Sequence, residues 1–441
     1  MAEALRIGIA GVGTVGASLV RIMQNKHNEL SQKCGRPIEI VAVCARDKTK
    51  DRGCDLSNVE WFDSPDALAQ SDLIDVYVEL IGGEEGAAYS SVVSALDAGK
   101  HVVTANKALL AKHGVELAIK AEAKGTILNF EAAVAGGIPI IKTMREALSS
   151  NSIERIYGIL NGTCNYMLTR MENEGISFDD CLKDAQRLGY AEADPSFDIG
   201  GNDTAHKLAI LTSIAFGTQI SADDIYLEGI TSITTEDIVA AKELGYRIKL
   251  LGVAQRTASG IEQRVHPTMV PIGSAIAEIS GVTNAIAIEA DIVGQLVLSG
   301  PGAGGDATAS AVSGDICDIA KAQIGHQHAP ALGKPAALLE PYTRAKMRAH
   351  EGCYFIRLSV TDQAGAFASI ASRMAEENIS LQSIVQRKAE GAVNDDNSDT
   401  TSQPIILITH ATNEKAIKSA LDKIDSDGHL SNKAQMIRIE N

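Results

Sequence analysis

The opening of the chain restricts its fold more than any other stretch. Residues Leu5–Ala10 form an apolar run that favours a strand, and the glycine motif Gly11–Gly16 leads into helical periodicity over Ala17–Leu30. A G-x-G-x-x-G motif between a strand and a helix is typical of dinucleotide-binding turns, because its glycines permit a tight turn, close approach of a pyrophosphate and close helix–strand packing. The phosphates would face the helix N-terminus. The residues expected to contact the cofactor here are Gly11, Val12, Gly13, Thr14, Val15 and Gly16.

Strand-like and helical segments alternate through the rest of the first third. The predicted segments are strands at Ile38–Cys44, Leu73–Leu80, His101–Thr104 and Thr126–Glu131 and a helix at Tyr89–Ala98. This alternation predicts a parallel sheet, whose ligands bind at the carboxyl ends of the strands. Gly82, Gly83 and Lys107 fall at such ends. Lys107 would be either a surface charge or a cation that contacts substrate.

The tip of the second predicted strand bears on the choice between NAD and NADP. An acidic residue there would bind the ribose 2′-hydroxyl of NAD, whereas a basic residue would hold the 2′-phosphate of NADP. The sequence offers both, because Arg46 and Lys48 flank Asp47. Arg46 favours NADP, Asp47 would instead serve NAD, and a solvated charged turn is the structural alternative.

From about residue 151 the pattern changes. Strands are predicted at Ile153–Leu160, Asp224–Ile230, Leu250–Ala254, Gln263–Val270, Ala285–Ala290 and Ile292–Leu298, and helices near 163–173, 177–188, 203–216 and 234–244. Because the strands become consecutive, we expect a mostly antiparallel sheet backed by helices, the α+β class. The loop Gly300–Asp306 then precedes a helix at Ala307–Ala322, which is expected to return the chain to the first domain.

The last part of the chain alternates again. Its predicted order is strand 353–360, helix 365–377, strand 379–388, strand 404–411, helix 413–425 and strand 434–440. This βαββαβ order is typical of a ferredoxin-like fold. We expect a flexible hairpin loop at Gly391–Gln403. The sequence therefore predicts an α/β chain with a Rossmann-type domain at 1–135, completed by about 302–340, an α+β domain at 136–301 and a ferredoxin-like domain at 350–441.

An acid-rich loop at Leu188–Lys207 is the strongest candidate for chemistry. Its four acids are Glu192, Asp194, Asp198 and Asp203. An apolar helix follows, with Asn202 or Asp203 expected as its N-cap. Lys207 would share a helix face with Asp203 and project towards the core, where an unpaired lysine is costly. The pair is therefore either an ion pair that secures the helix start or a desolvated lysine that exchanges a proton near neutral pH.

Two other polar corners precede that loop. Ala132–Pro139 is rich in Ala and Gly, so it would present backbone carbonyls that suit a hard monovalent cation. Asn161–Asn165 lies at a strand-to-helix turn, where it would either line the same cleft or cap the helix.

Composition restricts the partners. The chain has 56 acidic and 40 basic residues and a net charge of −16, so nucleic acid and anionic membrane surfaces are not expected. No apolar run reaches the ~18 residues of a membrane span, and no signal segment opens the chain. The seven cysteines contain no C-x-x-C pair and are expected as reduced thiols of a cytoplasmic protein. His326 and His328 form an H-x-H without further ligands nearby, so we expect no metal there.

The acid-rich stretch resembles the signature of homoserine dehydrogenases along its whole length. The matching pattern is Ala185-x3-Gly189-Tyr-Ala-x2-Asp194-Pro195-x2-Asp198-Ile-x-Gly201-x-Asp203-x3-Lys207. The resemblance extends to Gly11–Gly16, Thr104–Lys107, Glu131–Pro139, Asn161–Asn165 and Gly300–Asp306, so it covers residues 1 to about 330. The C-terminal part resembles an ACT domain, as in the longer monofunctional bacterial members. The fused bifunctional form is not expected, because no aspartate kinase half precedes the chain.

The resemblance implies NAD(P)-dependent interconversion of L-homoserine and L-aspartate 4-semialdehyde in threonine, methionine and isoleucine synthesis. It makes Lys207 the proton donor and acceptor, with Lys107 holding substrate or moving the proton. It also implies that Glu192 binds the amino group, while Asp198 and Asp203 organise the amino-acid site. Further cofactor contacts implied in this way are Arg46, Lys107 and Gly302. The implied cation ligands are Glu131, Val134, Gly136 and Ile138.

The resemblance also implies regulation and assembly. An ACT-like domain suggests feedback by threonine near Asp362–Gly365 and, because such sites form between paired copies, a homodimer or homotetramer, with residues 136–301 as the catalytic and dimerisation domain. Two alternatives remain at this point. One is a different semialdehyde oxidoreductase, which in its phosphorylating form needs a catalytic cysteine such as Cys164. The other is a non-catalytic amino-acid sensor built on the ACT domain.

Overall fold

The computed structural model describes five ranges of the chain, which are separated by four gaps. The described residues are 3–322, 329–345, 351–361, 365–386 and 402–440. The H-x-H pair, Asp362 and most of the polar segment 391–403 therefore lie outside the described residues.

Six parallel strands form the first sheet. They are β1 (Leu5–Ala10), β2 (Ile38–Cys44), β3 (Glu60–Phe62), β4 (Val76–Glu79), β5 (His101–Thr104) and β6 (Leu128–Asn129). Their order is β3-β2-β1-β4-β5-β6, and each neighbouring pair runs parallel. This is the doubly wound order of dinucleotide-binding sheets, in which the connections change side next to β1. The parallel sheet predicted from the sequence is confirmed.

Helices cover this sheet. They are α1 (Thr14–Asn25), α2 (His27–Cys34), α3 (Pro65–Ala69), α4 (Ala87–Asp97) and α5 (Lys107–Lys124). Two of them begin at side-chain caps that accept a backbone N–H of the first turn: Ser64 opens α3 and Asn106 opens α5. The cap at Asn106 matters for function, because it makes Lys107 the first residue of its helix.

The middle of the chain combines helices with a second, antiparallel sheet. Its helices are α6 (Ile140–Lys142), α7 (Gly162–Glu174), α8 (Phe178–Arg187), α9 (Ser196–Ile199), α10 (Asn202–Phe216) and α11 (Thr235–Glu243). Its strands are β7 (Ile153–Ile159), β8 (Tyr226–Leu227), β9 (Tyr246–Thr257), β10 (Gly260–Pro271), β11 (Thr283–Ala290) and β12 (Gly294–Pro301). The strand order is β12-β11-β7-β9-β10, and these pairs are antiparallel. Short helical turns lie at Glu131–Ala133, Thr143–Ala147 and Ala336–Leu338.

Helix α12 (Gly305–Lys321) brings the chain back to the first sheet. It packs on α1, where a Cβ added to Gly305 would lie 2.9 Å from the Ser18 hydroxyl. Its buried face, including Ala309, Val312 and Ile316, joins the apolar cluster beneath β1. The loop that precedes α12 therefore lies between the two sheets.

The C-terminal part continues the second sheet. Its elements are β13 (Glu351–Thr361), α13 (Ala366–Glu376), β14 (Leu381–Gln386), β15 (Ser402–Thr409), β16 (Thr412–Asn413), α14 (Glu414–Ser426) and β17 (Gln435–Ile439). Apart from the short β16, the order is the predicted βαββαβ. Strand β17 pairs parallel with β10 on one side and antiparallel with β13 on the other, so both parts share an 11-stranded sheet.

Several local predictions differ from the structure. The strand expected at Asp224–Ile230 is only the two-residue β8, and the one expected at Thr126–Glu131 shortens to β6 because a helical turn follows. The N-cap of α10 is Gly201, not Asn202 or Asp203. Gly201 has φ of +91°, which a residue with a side chain rarely adopts. Asp203 is therefore free to bind side chains rather than the helix start.

Candidate active site

The glycine turn has the geometry that a dinucleotide needs. Gly11 has φ of +100°, and a Cβ added there would lie 2.4 Å from the Leu80 carbonyl oxygen. A Cβ added to Gly16 would lie 2.3 Å from the Gly11 carbonyl oxygen, so only glycine lets α1 approach the turn. Around Gly13, by contrast, the space is open. That opening lies at the N-terminus of α1, where a pyrophosphate is stabilised by free backbone N–H groups.

Two arginines follow β2 beside this turn. Arg46 is exposed at the end of β2, as predicted. Arg52 was not singled out from the sequence, because its loop has no recognisable pattern. Its Nε donates to the Val12 carbonyl oxygen at 2.9 Å, and its guanidinium lies 5.5 Å from the centre of the Trp61 ring. Both arginines therefore lie at the second-strand tip, near Lys48.

Buried polar residues fix the ends of β4 and β5. The Glu79 carboxylate, 0% exposed, accepts the Ile81 N–H at 2.7 Å and the Thr104 hydroxyl at 2.6 Å. Asn106 donates to the Gly83 carbonyl at 2.6 Å and caps α5. These bonds hold the start of α5, and with it Lys107, at the mouth of the cleft between the sheets.

Two lysines meet on one buried carboxylate at this cleft. Lys107 Nζ is 2.9 Å from Asp203 Oδ1, and Lys207 Nζ donates to Asp203 Oδ2 at 2.8 Å. Lys207 also donates to the Leu160 carbonyl oxygen at 2.6 Å, at the end of β7. Lys207 is 9% exposed and Asp203 5%. The predicted Asp203–Lys207 pair is present, and Lys107 is the third member that the sequence alone could not place.

Asn161 links this group to a second acid. Its amide donates to Asp203 Oδ2 at 2.9 Å and to Asp198 Oδ1 at 2.8 Å, and its Oδ1 caps α7. Both uses predicted for this corner, cleft and cap, therefore occur together. Burial raises the pKa of Asp203, but the charges of Lys207 and Lys107 outweigh it and hold that pKa far below its usual range. Burial and the negative charge of Asp203 raise the pKa of Asp198.

A cavity of about 590 Å³ opens onto these groups. Its polar lining includes Lys107, Asn161, Asp198, Asp203, Lys207 and Asn284. It reaches the glycine turn at Val15 and the loop before α12 at Gly302. A nicotinamide ring entering from the glycine turn and a small amino acid bound by the acids would therefore meet in one space.

Glu192 is the predicted substrate contact that the structure places elsewhere. It is exposed on the acid-rich loop and does not belong to the cavity lining. Gly189 and Tyr190 of the same loop do line the cavity, so the loop borders it. The role expected for Glu192 stays a prediction.

The residues expected to hold a cation lie under the loop before α12. A Cβ added to Gly136 would lie 2.5 Å from the Gly302 carbonyl oxygen, and Glu131 is 4% exposed. The Glu131 carboxylate accepts the N–H groups of Ile141 and Lys142 at 2.8 and 2.9 Å. Across the described ranges, no cluster of three His, Cys, Asp or Glu side chains is arranged for a metal ion. A cation here would rely mainly on backbone oxygens.

Cys164 does not have the properties of a nucleophile. It is 0% exposed, and its Sγ donates to the Asp198 carbonyl oxygen at 3.3 Å. Burial, together with the charges of Asp198 and Asp203, raises the pKa of this thiol well above its usual value. A thiolate attack on an aldehyde is therefore not supported.

Comparison with known proteins decides the family. The model for the homoserine dehydrogenase NAD-binding domain matches residues 11–131, and the homoserine dehydrogenase model matches residues 139–317. The chain is 44% identical over 439 residues to the homoserine dehydrogenase of Neisseria gonorrhoeae, covering 99% of this chain and 98% of that protein. The chain belongs to the homoserine dehydrogenase family.

Solved structures of homoserine dehydrogenases agree. That of the enzyme from Thiobacillus denitrificans is 41% identical, with a TM-score of 0.92, and the match covers 100% of this chain and 99% of that one. A hyperthermophilic archaeal homoserine dehydrogenase in complex with NADPH is 27% identical, with a TM-score of 0.62, over 71% of this chain and 97% of that one. The archaeal homoserine dehydrogenase thus resembles only part of this chain.

The predicted activity is confirmed by this membership. The chain is an NAD(P)-dependent oxidoreductase that acts on a CH–OH group, interconverting homoserine and aspartate 4-semialdehyde in amino-acid biosynthesis. It is therefore neither a non-catalytic sensor nor an unrelated semialdehyde oxidoreductase. Among the described residues, no helix is both long and apolar enough to cross a bilayer.

Proposed function

We propose that Lys207 donates the proton to the aldehyde oxygen of aspartate 4-semialdehyde and removes it from homoserine in the reverse direction. The observation that carries this role is the convergence of Lys207 and Lys107 on Asp203 inside the cavity that reaches Gly302. The buried ammonium donates to one carboxylate and one carbonyl oxygen, which fixes its orientation. Its third N–H remains available to transfer a proton to the substrate oxygen. Lys107, less buried, assists by holding the same oxygen or relaying the proton.

Charge stabilisation is the second contribution of this group. A bound nicotinamide supplies the hydride, and the substrate oxygen becomes an alkoxide as the hydride arrives. Two preorganised ammonium groups next to that oxygen stabilise the developing charge. Asp203 offsets their mutual repulsion and fixes both positions.

The acidic residues would recognise the amino-acid part of the substrate. Asp198 and Asp203 organise this site, and Glu192 binds the α-ammonium once the loop that carries it closes over the cavity. Gly189 and Tyr190 line the cavity, so the loop that carries Glu192 already borders the proposed substrate site. Replacing Glu192 by Gln should raise KM for homoserine about tenfold and leave NADPH binding unchanged. An unchanged KM would remove Glu192 from the site.

NADP is the preferred cofactor in this proposal. Arg46 and Arg52 at the tip of β2 provide the positive charge that a 2′-phosphate requires. The archaeal relative bound to NADPH supports the same choice. Gly11 to Gly16 would bind the pyrophosphate and Gly302 the nicotinamide, next to Lys107.

A monovalent cation fits the loop around Glu131. Burial raises the pKa of Glu131, and burial together with the Glu131 charge raises that of the neighbouring Asp315 to about 8. The Asp315 carboxylate accepts the Glu131 N–H at 2.9 Å, and two neighbouring buried acids favour a nearby cation. Glu131, Val134, Gly136 and Ile138 would hold it, largely through carbonyl oxygens, and it would brace the loop beside Gly302.

The C-terminal βαββαβ part would be an ACT domain that mediates feedback by threonine in a homodimer or homotetramer. Its element order and its continuous sheet with the catalytic part support this proposal. In this division the dinucleotide-binding domain spans 1–135 and about 302–340, the catalytic domain 136–301 and the ACT domain 350–441. Unchanged activity at saturating threonine would contradict the proposed feedback inhibition. Light scattering would measure the number of subunits.

The central test follows nicotinamide absorbance with aspartate 4-semialdehyde, with NADPH and NADH supplied separately. Lys207→Ala should lose about 1,000-fold in kcat while still binding NADPH. If the variant is nearly as fast as the unchanged enzyme, Lys207 is structural and Lys107 takes the acid role.

A further inference from the structure

A buried lysine outside the proposed catalytic group holds one wall of the cavity. Lys249 lies on β9 and is 2% exposed. Its Nζ donates to the Ile279 carbonyl oxygen at 2.6 Å and to Asn165 Oδ1 at 3.1 Å. The carboxylates of Glu172 and Glu278, which act on its charge from a distance, are both paired with Arg247. The ammonium is thus held by neutral oxygens, and burying a charge without an ion-pair partner costs desolvation free energy.

Asn165 extends the contact of Lys249 along the segment Ile279–Asn284. Because Asn165 Oδ1 accepts from the Lys249 ammonium, Asn165 Nδ2 faces away from Lys249. There it donates to the carbonyl oxygens of Ile279, Gly281 and Thr283 at 3.4, 3.0 and 3.2 Å. The Thr169 hydroxyl accepts the Gly281 N–H at 3.2 Å. One helix, α7, therefore fixes this segment with two of its side chains.

Two residues of the segment Ile279–Asn284, Val282 and Asn284, line the cavity. Asn284 is 1% exposed, and its Oδ1 is buried without a hydrogen-bonding partner among the described residues. The amide lies flat against the loop before α12, since a Cβ added to Gly302 would fall 2.1 Å from Asn284 Cγ. A buried amide oxygen without a partner at the edge of a binding cavity is normally satisfied by a ligand or water.

We propose that Lys249 is a positioning residue: through Asn165 it fixes the segment Ile279–Asn284 so that Asn284 binds a polar group of the ligand beside Gly302. The proposal rests on the proposed function only in using the same cavity, because it assigns no proton transfer to Lys249. Its failure and that of Lys207 are distinguishable, since the first changes KM and the second kcat.

The charge state of Lys249 gives the proposal a specific signature. Burial lowers its pKa to about 8, with Arg247 acting in the same direction and Glu172 and Glu278 opposing it. Above that pH the ammonium loses its proton, and its bonds to Ile279 and Asn165 lose their charge assistance. The advantage of the lysine over an apolar side chain should therefore fade at alkaline pH.

The test compares Lys249→Met with the unchanged enzyme and with Lys242→Met, an exposed lysine on α11. At pH 7 we expect KM for homoserine, KM for NADP, or both, to rise about tenfold, with kcat changed less than about threefold. The KM ratio of variant to unchanged enzyme should fall at least by half at about pH 9.5. A ratio below about two at pH 7, or one independent of pH, overturns the proposal.

Two more variants separate positioning from general loss of stability. Asn284→Ala should raise the same KM, and the double variant with Lys249→Met should be no worse than the poorer single one. Effects that multiply would show that Lys249 does not act through Asn284. If Lys249→Met does not fold, Thr169→Val, which loosens the segment without touching the charge, should raise the same KM more weakly, and an unchanged KM in that variant overturns the proposal.

Discussion

Lys107 and Lys207 bind the two oxygens of one carboxylate. Lys107 Nζ lies 2.9 Å from Asp203 Oδ1, and Lys207 Nζ lies 2.8 Å from Asp203 Oδ2. One lysine begins α5 on the parallel sheet, and the other belongs to α10 behind the antiparallel sheet. Asp203 therefore joins the two sides of the cleft, and a substrate oxygen entering it meets two ammonium groups with fixed positions.

The two lysines should differ in how much catalysis depends on them. Lys107→Met is expected to lower kcat/KM about 100-fold, less than Lys207→Ala, because the Lys107 side chain is 34% exposed and water can partly replace it. The matched control is Lys112→Met on the same helix, whose ammonium pairs with surface Glu84 and Glu85. Steady-state kinetics decide the order, and a deeper loss for Lys107→Met would exchange the two roles.

Asp203 should contribute to stability as well as to chemistry. Asp203→Asn leaves two ammonium groups without their counter-charge, so we expect a loss of about 3 kcal/mol in the free energy of unfolding at pH 7. The lysines lower the pKa of Asp203, so its contribution is complete above the unfolded value of about 3.9 and is lost as pH falls below it.

Urea denaturation across pH checks this sign. The difference between the unchanged enzyme and Asp203→Asn should shrink below about pH 4. A difference that grows on acidification would contradict the ion-pair assignment. Asp194→Asn, an exposed acid of the same loop, serves as the control.

Contacts within a motif were predictable from the sequence, and contacts between motifs were not. The spacing of four residues placed Asp203 and Lys207 on one helix face, and the structure has them in contact. The third partner, Lys107, is distant in sequence and reaches Asp203 only because Glu79 and Asn106 fix the ends of β4 and β5. The hydrophobic periodicity of a sequence does not predict such tertiary hydrogen bonds. Arg52 could not be predicted for the same reason, because its position depends on a hydrogen bond to the Val12 carbonyl oxygen.

Cofactor choice should depend on Arg52 together with Arg46. Arg52→Ala is expected to weaken NADPH binding about tenfold and NADH binding less than about threefold, because only NADPH carries the 2′-phosphate. The control is Arg36→Ala at the opposite end of β2. Fluorescence titration with both cofactors measures the ratio. Equal losses for NADPH and NADH would mean that Arg52 only supports the glycine turn through Val12.

Cys164 should be dispensable for chemistry. Its thiol is buried and its pKa is raised, so it cannot supply a thiolate at neutral pH. Cys164→Ala is expected to keep kcat within about threefold, with a small stability loss from the missing sulfur. Iodoacetamide should not inactivate the enzyme through this residue. A loss of several orders of magnitude in kcat would instead support covalent catalysis by the Cys164 thiol.

The junction of the C-terminal part was also beyond sequence reasoning. The βαββαβ order was predicted from local patterns, but its attachment was not. The attachment includes a two-residue parallel pairing of β10 with β17 and buried ion pairs between Arg264, Glu414 and Arg438. Charged residues at strand positions usually indicate a solvated face. Here their partners come from another part of the chain, so burial could not be inferred.

Glu414 is the centre of that junction, and its loss should uncouple the C-terminal part. Its Oε2 is 2.7 Å from Arg264 and its Oε1 is 2.7 Å from Arg438, and all three residues are at most 3% exposed. Glu414→Gln leaves two guanidinium groups buried around a neutral amide. We expect a loss of about 3 kcal/mol at pH 7, whereas Glu376→Gln, an exposed acid of the same part, should cost less than about 1 kcal/mol.

The pH dependence gives the sign of the Glu414 contribution. Burial raises its pKa, but Arg438, Lys418 and Arg264 together lower it to about 2. Its stabilisation is therefore complete above the unfolded value of about 4.3 and disappears as pH falls towards 2. Denaturation followed by circular dichroism should show the penalty of Glu414→Gln shrinking over that range. A penalty that stays constant to pH 2 would mean that packing, not charge, joins the C-terminal part to the catalytic sheet.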